Sequence, residues 1–353
     1  MSSLVIGNKS AKYPVVQGGM GVGVSLSGLA GAVAKAGGIG VISAAQIGFD
    51  EPDFYTNCKE SNIRALKKHI ALAKEQCVDG LVGVNIMVAT SEYERQVKAA
   101  CEAGADIIIS GAGLPADLPA FVKGYEEQTK IAPIVSSEKS AKVLLKMWDK
   151  FHKRTADMVV IEGPWAGGHL GFSNEQLEHI DKLDYDEEIC KIIAVVKTYE
   201  EKYDCQIPVV VGGGVYSNED VKHVLSLGAS GVQIGTRFVA TKECDASDAY
   251  KQAYVNATEQ DIEIVKSPVG MPGRAVHNEF LNKVSRGEMP VKKCYRCLSA
   301  CNPATAPYCI TEALIAAVKG DLDNGLIFCG SNAARIDRIT TVPELMEELT
   351  EGI

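Results

Sequence analysis

Two glycine clusters, Gly212-Gly213-Gly214 and Gly235-Thr236, each end a short apolar run, Ile207–Val211 and Gly231–Ile234, with one helical stretch, Ser217–Gly228, between them. The order is strand, glycine turn, helix, strand, glycine turn. Two adjacent turns of this kind set backbone N–H groups side by side at the carboxyl ends of neighbouring parallel strands. The last two units of a β/α barrel hold a phosphate in this way. The chain has neither a Walker lysine after these glycines nor a dinucleotide fingerprint, so the phosphate expected there is that of flavin mononucleotide, FMN.

A second group with chemistry is His169, which follows Gly167 and Gly168 in the run Glu162-Gly163-Pro164-Trp165-Ala166-Gly167-Gly168-His169. An imidazole with a pKa near 6.5 suits proton transfer at neutral pH. The bland alternative is a loop histidine that satisfies backbone groups. His169 stands at a strand end, where barrel enzymes keep their catalytic groups, and this favours the catalytic role. His69, His152, His179, His223 and His277 fall in helical or irregular segments and read as structural, with His277 in the lid the one to watch. A third group is Cys294, Cys297, Cys301 and Cys309, spaced C-x2-C-x3-C-x7-C in a Pro-rich stretch. Four thiolates suit tetrahedral zinc or a [4Fe–4S] cluster, and iron–sulfur is the more natural companion of a flavin. The competing reading is a set of packed free thiols, and spacing alone does not separate the two.

These groups need elements to position them. Eight short apolar runs read as strands: Tyr13–Gln17, Ile39–Ser43, Leu81–Met87, Ala105–Ser110, Ala132–Ser136, Met158–Glu162, Ile207–Val211 and Gly231–Ile234. Most are apolar on both faces, as parallel strands covered by helices must be. Helical patterns alternate with them: Ser25–Ala36, Asn62–Gln76, Ser91–Ala103, Ser140–Arg154, Asp186–Tyr203 and Asn218–Leu227. Eight such units predict an α/β fold of the (β/α)8 TIM-barrel type; a doubly wound open sheet is the runner-up. After Phe238 the pattern changes. Lys242–Gln260 is polar and helical, Ser267–Cys309 is Pro-rich with few strand signals, and Thr311–Lys319 is an apolar helix. The expected organisation is a barrel from 1–240 and 310–353, with 241–309 as a smaller lid near the C-terminus.

The strand ends then supply further candidates. Gly18, Gly19 and Met20 follow the first strand, Asn85 lies in the third, Ser136 follows the fifth and Gly168 precedes His169. Gly18-Gly19 permits close backbone approach to a flat ring, or is only a tight turn. Asn85 inside an apolar strand needs a partner, either the cofactor or a neighbouring loop. The role of Glu162 stays open. Arg237 is expected to pair away from the phosphate, since the backbone already supplies donors.

Composition narrows the class. The 353 residues carry a formal net charge of −9 with 46% hydrophobic and 23% charged residues, and no basic block. This argues for a globular enzyme acting on a small molecule and against nucleic acid as partner. No run approaches the ~20 apolar residues of a membrane span. Eleven cysteines without a secretory leader point to the cytoplasm. Whether the chain forms a homodimer is not legible.

The motifs QGGMG at 17–21, GVNIM at 83–87, SGAG at 110–113, AGGHLG at 166–171, GGGV at 212–215 and QIGTRF at 233–238 occur in one order across most of 13–240. Together they resemble the nitronate monooxygenase family (2-nitropropane dioxygenases) and its relative, the FMN-dependent enoyl-acyl-carrier-protein reductase. The resemblance implies a β/α barrel with non-covalent FMN. It implies that Gly212, Gly213, Gly214, Gly235 and Thr236 bind the phosphate, that Gly19, Met20 and Asn85 contact the flavin, and that His169 acts at the substrate. Gly18, Ser136 and Gly168 complete the expected cofactor wall. The segment 267–280 also resembles the family's lid. The first three cysteines resemble the cluster-binding run of iron–sulfur dienoyl-CoA reductases, although the last gap is shorter here.

The activity so implied is FMN-dependent monooxygenase oxidation of small nitronates or nitroalkanes. The alternative is an NAD(P)H-dependent reductase of an enoyl thioester or quinone, with the nicotinamide as co-substrate. The segment 170–206 is longer than in the compact enoyl reductases, and the cysteine cluster is foreign to the best-known members; both bear on the substrate rather than the cofactor.

Overall fold

The computed structural model describes residues 3–77 and 79–353. Its strands are β1 (Leu4–Ile6), β2 (Lys9–Ala11), β3 (Val15–Gln17), β4 (Ile39–Ser43), β5 (Leu81–Met87), β6 (Ile107–Gly111), β7 (Lys130–Val135), β8 (Val159–Glu162), β9 (Gly168–His169), β10 (Val209–Gly212), β11 (Gly231–Ile234), β12 (Ile262–Lys266) and β13 (Pro272–Val276). Eight of them close into a parallel barrel in the order β10-β11-β3-β4-β5-β6-β7-β8, with β11 pairing β3. The fold is a (β/α)8 barrel, and closure removes the open-sheet alternative.

The strands are apolar on both faces because each face meets a different core. Alternate residues such as Val16, Val41, Ile109, Ala132, Val160 and Val210 fill the barrel interior. Their neighbours Val15, Ile42, Ile108, Val159, Val209 and Val232 pack outward on the helices. Period-two side-chain alternation sorts one continuous apolar run into both layers. The hairpin β1–β2 carries no strand signal strong enough to read in the sequence. Its Leu4, Ile6 and Ala11 join the interior cluster at the strands' amino ends, and Lys9 pairs with the nearly buried Asp106 at 2.7 Å.

Helix ends follow local chemistry. Ser137 and Ser217 each form a capping box at a helix start, satisfying otherwise orphaned N–H groups. The helix expected over 242–260 contracts to Asp248–Asn256 because Ser247 caps it, accepting from the Tyr250 amide. The helix expected to reach Arg154 ends α-helical geometry at Met147, continues as a wider turn over Trp148–His152 and stops where Lys153 takes φ +52°.

The 241–309 segment supplies β12 and β13. These pair antiparallel, and β13 pairs in turn with β9, matching Gly273 to His169 and Arg274 to Gly168. The loop that bears His169 is therefore the third strand of the lid sheet. A small second core of Ala275, Phe280, Leu281, Tyr308, Ile310, Ala313 and Leu326 ties the lid to the helix Ile310–Val318, whose other face enters the main core through Ile315, Ala317 and Val318. The C-terminal helix Val342–Thr350, with Pro343 in its first turn, closes the chain. Among the described residues no helix is long and apolar enough to cross a membrane.

Candidate active site

A cavity of about 270 Å³ opens at the carboxyl ends of the barrel strands. Its floor is the first layer of inward side chains above the apolar interior, namely Asn85, Ile134, Glu162 and Gln233. Gly18, Gly19, Met20, Gly168, His169, Gly212, Gly213, Gly214, Gly235 and Thr236 line it together with Asn85. Residues as far apart in sequence as Gly18 and Thr236 thus meet because each lies at, or on a loop following, the carboxyl end of a barrel strand.

The glycine turns have the shape of a cradle. Gly213 and Gly214 take φ +87° and +105°, and a Cβ on Gly213 would stand 2.8 Å from the Gly163 carbonyl oxygen. Among the described residues the amides of Gly213 and Gly214 have no protein acceptor, nor does that of Thr236 at the start of its short helix. Three backbone donors at the cavity wall are therefore without a protein partner, where buried amides are ordinarily paired. Opposite them, a Cβ on Gly19 would collide with the Asn85 side chain and crowd Val41 at 3.1 Å. Gln17, fully buried, fixes this turn: its Oε1 accepts from the Val41 amide at 3.0 Å and its Nε2 donates to Ser25 Oγ at 2.9 Å. Ser25 Oγ in turn accepts from the Met20 amide at 3.0 Å.

The 163–169 loop is held from two sides. The Gly163 amide donates to the Gly212 carbonyl at 2.8 Å. The buried guanidinium of Arg274, on β13, donates to the carbonyls of Pro164 at 2.9 Å and Ala166 at 2.5 Å. Gly167 lets the Cys329 carbonyl approach to a point 2.7 Å from where a Cβ would sit. His169 ends this loop. Its Nε2 lies 2.7 Å from Ser267 Oγ, and its ring meets Phe328 edge-on with centroids 5.0 Å apart. Burial drives its pKa down to about 4, so the imidazole is neutral at pH 7. Burial acts oppositely on Glu162, pushing its carboxyl up to about 7.

One expected residue is placed elsewhere. Ser136 does not line the cavity: its Oγ donates to the Gly171 carbonyl at 3.3 Å and its amide to Ser140 Oγ at 3.3 Å. The capping box at Ser137 turns the chain outward as β7 ends. Among the described residues no group of three or more His, Cys, Asp or Glu is gathered as a metal-ligand set. Cys294 is exposed, Cys309 is the residue before the helix Ile310–Val318, and Cys297 is tied into the cavity wall, its carbonyl accepting from the Ser91 amide at 3.0 Å. All four are free thiols here, and burial raises the Cys297 thiol, with Cys301 and Cys294 near enough to add to the rise.

Other histidines serve structure. His69 meets Ser27 Oγ at 2.9 Å, His152 the Ala116 carbonyl at 3.0 Å, and His277 the Glu263 carboxylate at 3.1 Å on the lid surface. Arg237 turns away from the cavity to Glu348 at 2.8 Å and the Tyr216 carbonyl at 2.8 Å. Sequence reasoning missed Ser267, Phe328 and the outer wall of Lys59, Tyr295, Arg296 and Leu298. None carries a spacing signal, since they come together from chain positions as distant as Lys59 and Phe328.

A family model, Nitronate monooxygenase, matches residues 2–352. The chain belongs to the nitronate monooxygenase family. It is a flavin-dependent oxidoreductase of that family. It is 27% identical over 318 residues to a probable nitronate monooxygenase of Staphylococcus saprophyticus, covering 81% of each chain. It is also 27% identical over 277 residues to the (3aS,4S,5R,7aS)-5-hydroxy-7a-methyl-1-oxo-octahydro-1H-indene-4-carboxyl-CoA dehydrogenase of Mycobacterium tuberculosis, covering 78% of this chain and 66% of the other. The structure of FabK from Thermotoga maritima superposes with a TM-score of 0.72 at 27% identity, over 97% of this chain and 92% of that one.

Proposed function

We infer that the protein binds FMN and oxidises small nitronates or nitroalkanes. The observation that carries this reading is the neutral His169 at the cavity wall, held by Ser267 and pressed against Phe328. An unprotonated imidazole in an apolar setting can take a proton from the carbon beside a nitro group, or orient the anion so formed. The unpartnered amides of Gly213, Gly214 and Thr236 fit the phosphate of FMN, with Gly212 and Gly235 allowing the backbone to approach. Gly18, Gly19, Met20, Asn85 and Gly168 then face the ring. When bound, the flavin supplies the two-electron acceptor. The cavity walls offer no second glycine cradle for an adenylate, which favours FMN over FAD.

A second reading is favoured by one observation. The cavity continues past His169 to an outer wall of Lys59, Tyr295, Arg296 and Leu298, further than a small nitroalkane needs. That length suits an NAD(P)H-dependent reductase of an enoyl thioester or quinone, with His169 beside the substrate carbonyl. Anaerobic mixing separates the two. A nitronate that bleaches the yellow protein supports the first reading; bleaching by NADH or NADPH alone supports the second.

A further inference from the structure

Among the described residues, three consecutive amides at the glycine turn have no protein acceptor: Gly213, Gly214 and Val215. Pairing resumes with Tyr216 and Ser217, whose amides both donate to Asp220 Oδ2 at 2.9 Å. Val215 lines the same cavity as the two glycines. One side chain, from far down the chain, holds this turn. Asn332 Nδ2 donates to the Gly214 carbonyl at 2.7 Å. A carbonyl oxygen can only accept, so the nitrogen of the Asn332 amide must face it, and its Oδ1 is left towards the Arg335 guanidinium at 3.5 Å. The Gly214 carbonyl and the Val215 N–H belong to one planar trans peptide and point in opposite directions. Fixing the carbonyl therefore fixes the donor. Gly214, at φ +105°, has no side chain of its own to restrain that peptide.

The same segment touches the second glycine turn. The Gly330 amide donates to Thr236 Oγ1 at 3.2 Å. The hydroxyl accepts there and keeps its own proton. The segment is itself anchored, since the Cys329 amide donates to the Arg274 carbonyl at 3.0 Å and the Ser331 amide to the Trp165 carbonyl at 3.1 Å. We propose that Asn332 is a positioning residue for the flavin phosphate: it turns the peptide between Gly214 and Val215 so that the Val215 N–H joins those of Gly213, Gly214 and Thr236 as a fourth backbone donor. Gly330, by donating to Thr236, leaves the threonine proton for the same anion. This rests on the reading of the two glycine turns as an FMN site and deepens it. Asn332 acts through the backbone, because the nitrogen it turns towards the site is committed to the Gly214 carbonyl.

The test compares FMN with riboflavin, which has the same ring and ribityl chain without the phosphate. Flavin-free protein is titrated with each, and dissociation constants are read from the change in flavin fluorescence. The wild type is expected to bind FMN at least about tenfold more tightly than riboflavin, as hydrogen bonds to a charged group predict. Asn332→Ala should weaken FMN by about tenfold and leave riboflavin within about twofold, because only the phosphate loses a donor. Asn332→Asp keeps the shape of the side chain but cannot donate to the Gly214 carbonyl. It should weaken FMN at least as much at pH 8, again with riboflavin unchanged, and it carries the test should the alanine variant not fold. A merely structural role would weaken both flavins alike. Equal loss for the two flavins, or an FMN affinity that neither variant changes, overturns the proposal. A wild type that binds riboflavin as tightly as FMN would instead remove the phosphate site itself, whereas a wild-type preference for FMN that both variants retain removes only the role of Asn332.

Discussion

Glu162→Gln tests the electrostatics of the cavity floor quantitatively. Burial raises the Glu162 carboxyl from 4.5 to about 7, so the folded protein resists ionising a group that the unfolded chain ionises freely. The neutral acid is the form the fold accepts. Its stabilising contribution is complete below about pH 4.5 and is lost as pH rises through about 7. At 1.36 kcal/mol per pH unit, the wild type carries a penalty of about 1 kcal/mol at pH 5 and about 3 kcal/mol at pH 8, which glutamine does not. Relative to wild type, the variant should therefore gain about 2 kcal/mol between the two pH values. Urea unfolding of the flavin-free proteins, followed by far-ultraviolet circular dichroism at pH 5 and pH 8, reads this difference directly. A stability difference that is the same at both pH values refutes the assignment of Glu162 as a buried, proton-retaining acid.

Three further outcomes are expected. His169→Ala should lower turnover by about 10²–10⁴-fold with flavin still bound, the range that general acid–base groups contribute; near-normal activity would make His169 structural. Gly213→Ala forces a side chain into φ +87° and against the Gly163 carbonyl, so flavin should bind at least about tenfold more weakly, as a strain of roughly 1–3 kcal/mol predicts; a dissociation constant equal to wild type would remove the glycine turn from the cofactor site. Flavin released by heat should co-elute with FMN on reversed-phase chromatography, and FAD would contradict the single-phosphate cradle.

The barrel was legible because its signal is local and repeated. Ile39–Ser43, Leu81–Met87 and Gly231–Ile234 appear as strands with the boundaries their apolar runs set. Gly212 to Gly214 were legible because they stand at the end of a strand, and His169 because the loop after a strand carries it, and barrel topology then brings them to one mouth. The lid was not legible in the same way. Its strands Ile262–Lys266 and Pro272–Val276 pair with each other, and the second pairs also with Gly168–His169, a tertiary match that leaves no periodic mark in the chain. Ser267 is invisible for the same reason, since only folding sets its hydroxyl against the imidazole. Ser136 misled because a serine just past a strand end can equally face the cavity or begin a helix cap, and here Ser137 caps. The cysteine spacing left metal binding and packed free thiols open, because spacing alone does not fix side-chain geometry, and among the described residues no metal-ligand set is gathered.

The central claim is that a nitronate reduces this flavin directly. Anaerobic stopped-flow absorbance of the purified yellow protein, mixed separately with a small alkyl nitronate, with NADH and with NADPH, tests it in one experiment. The account predicts rapid loss of the flavin band with the nitronate and none with either nicotinamide. Bleaching by NADH or NADPH with no response to the nitronate would contradict it and leave the reductase reading in its place.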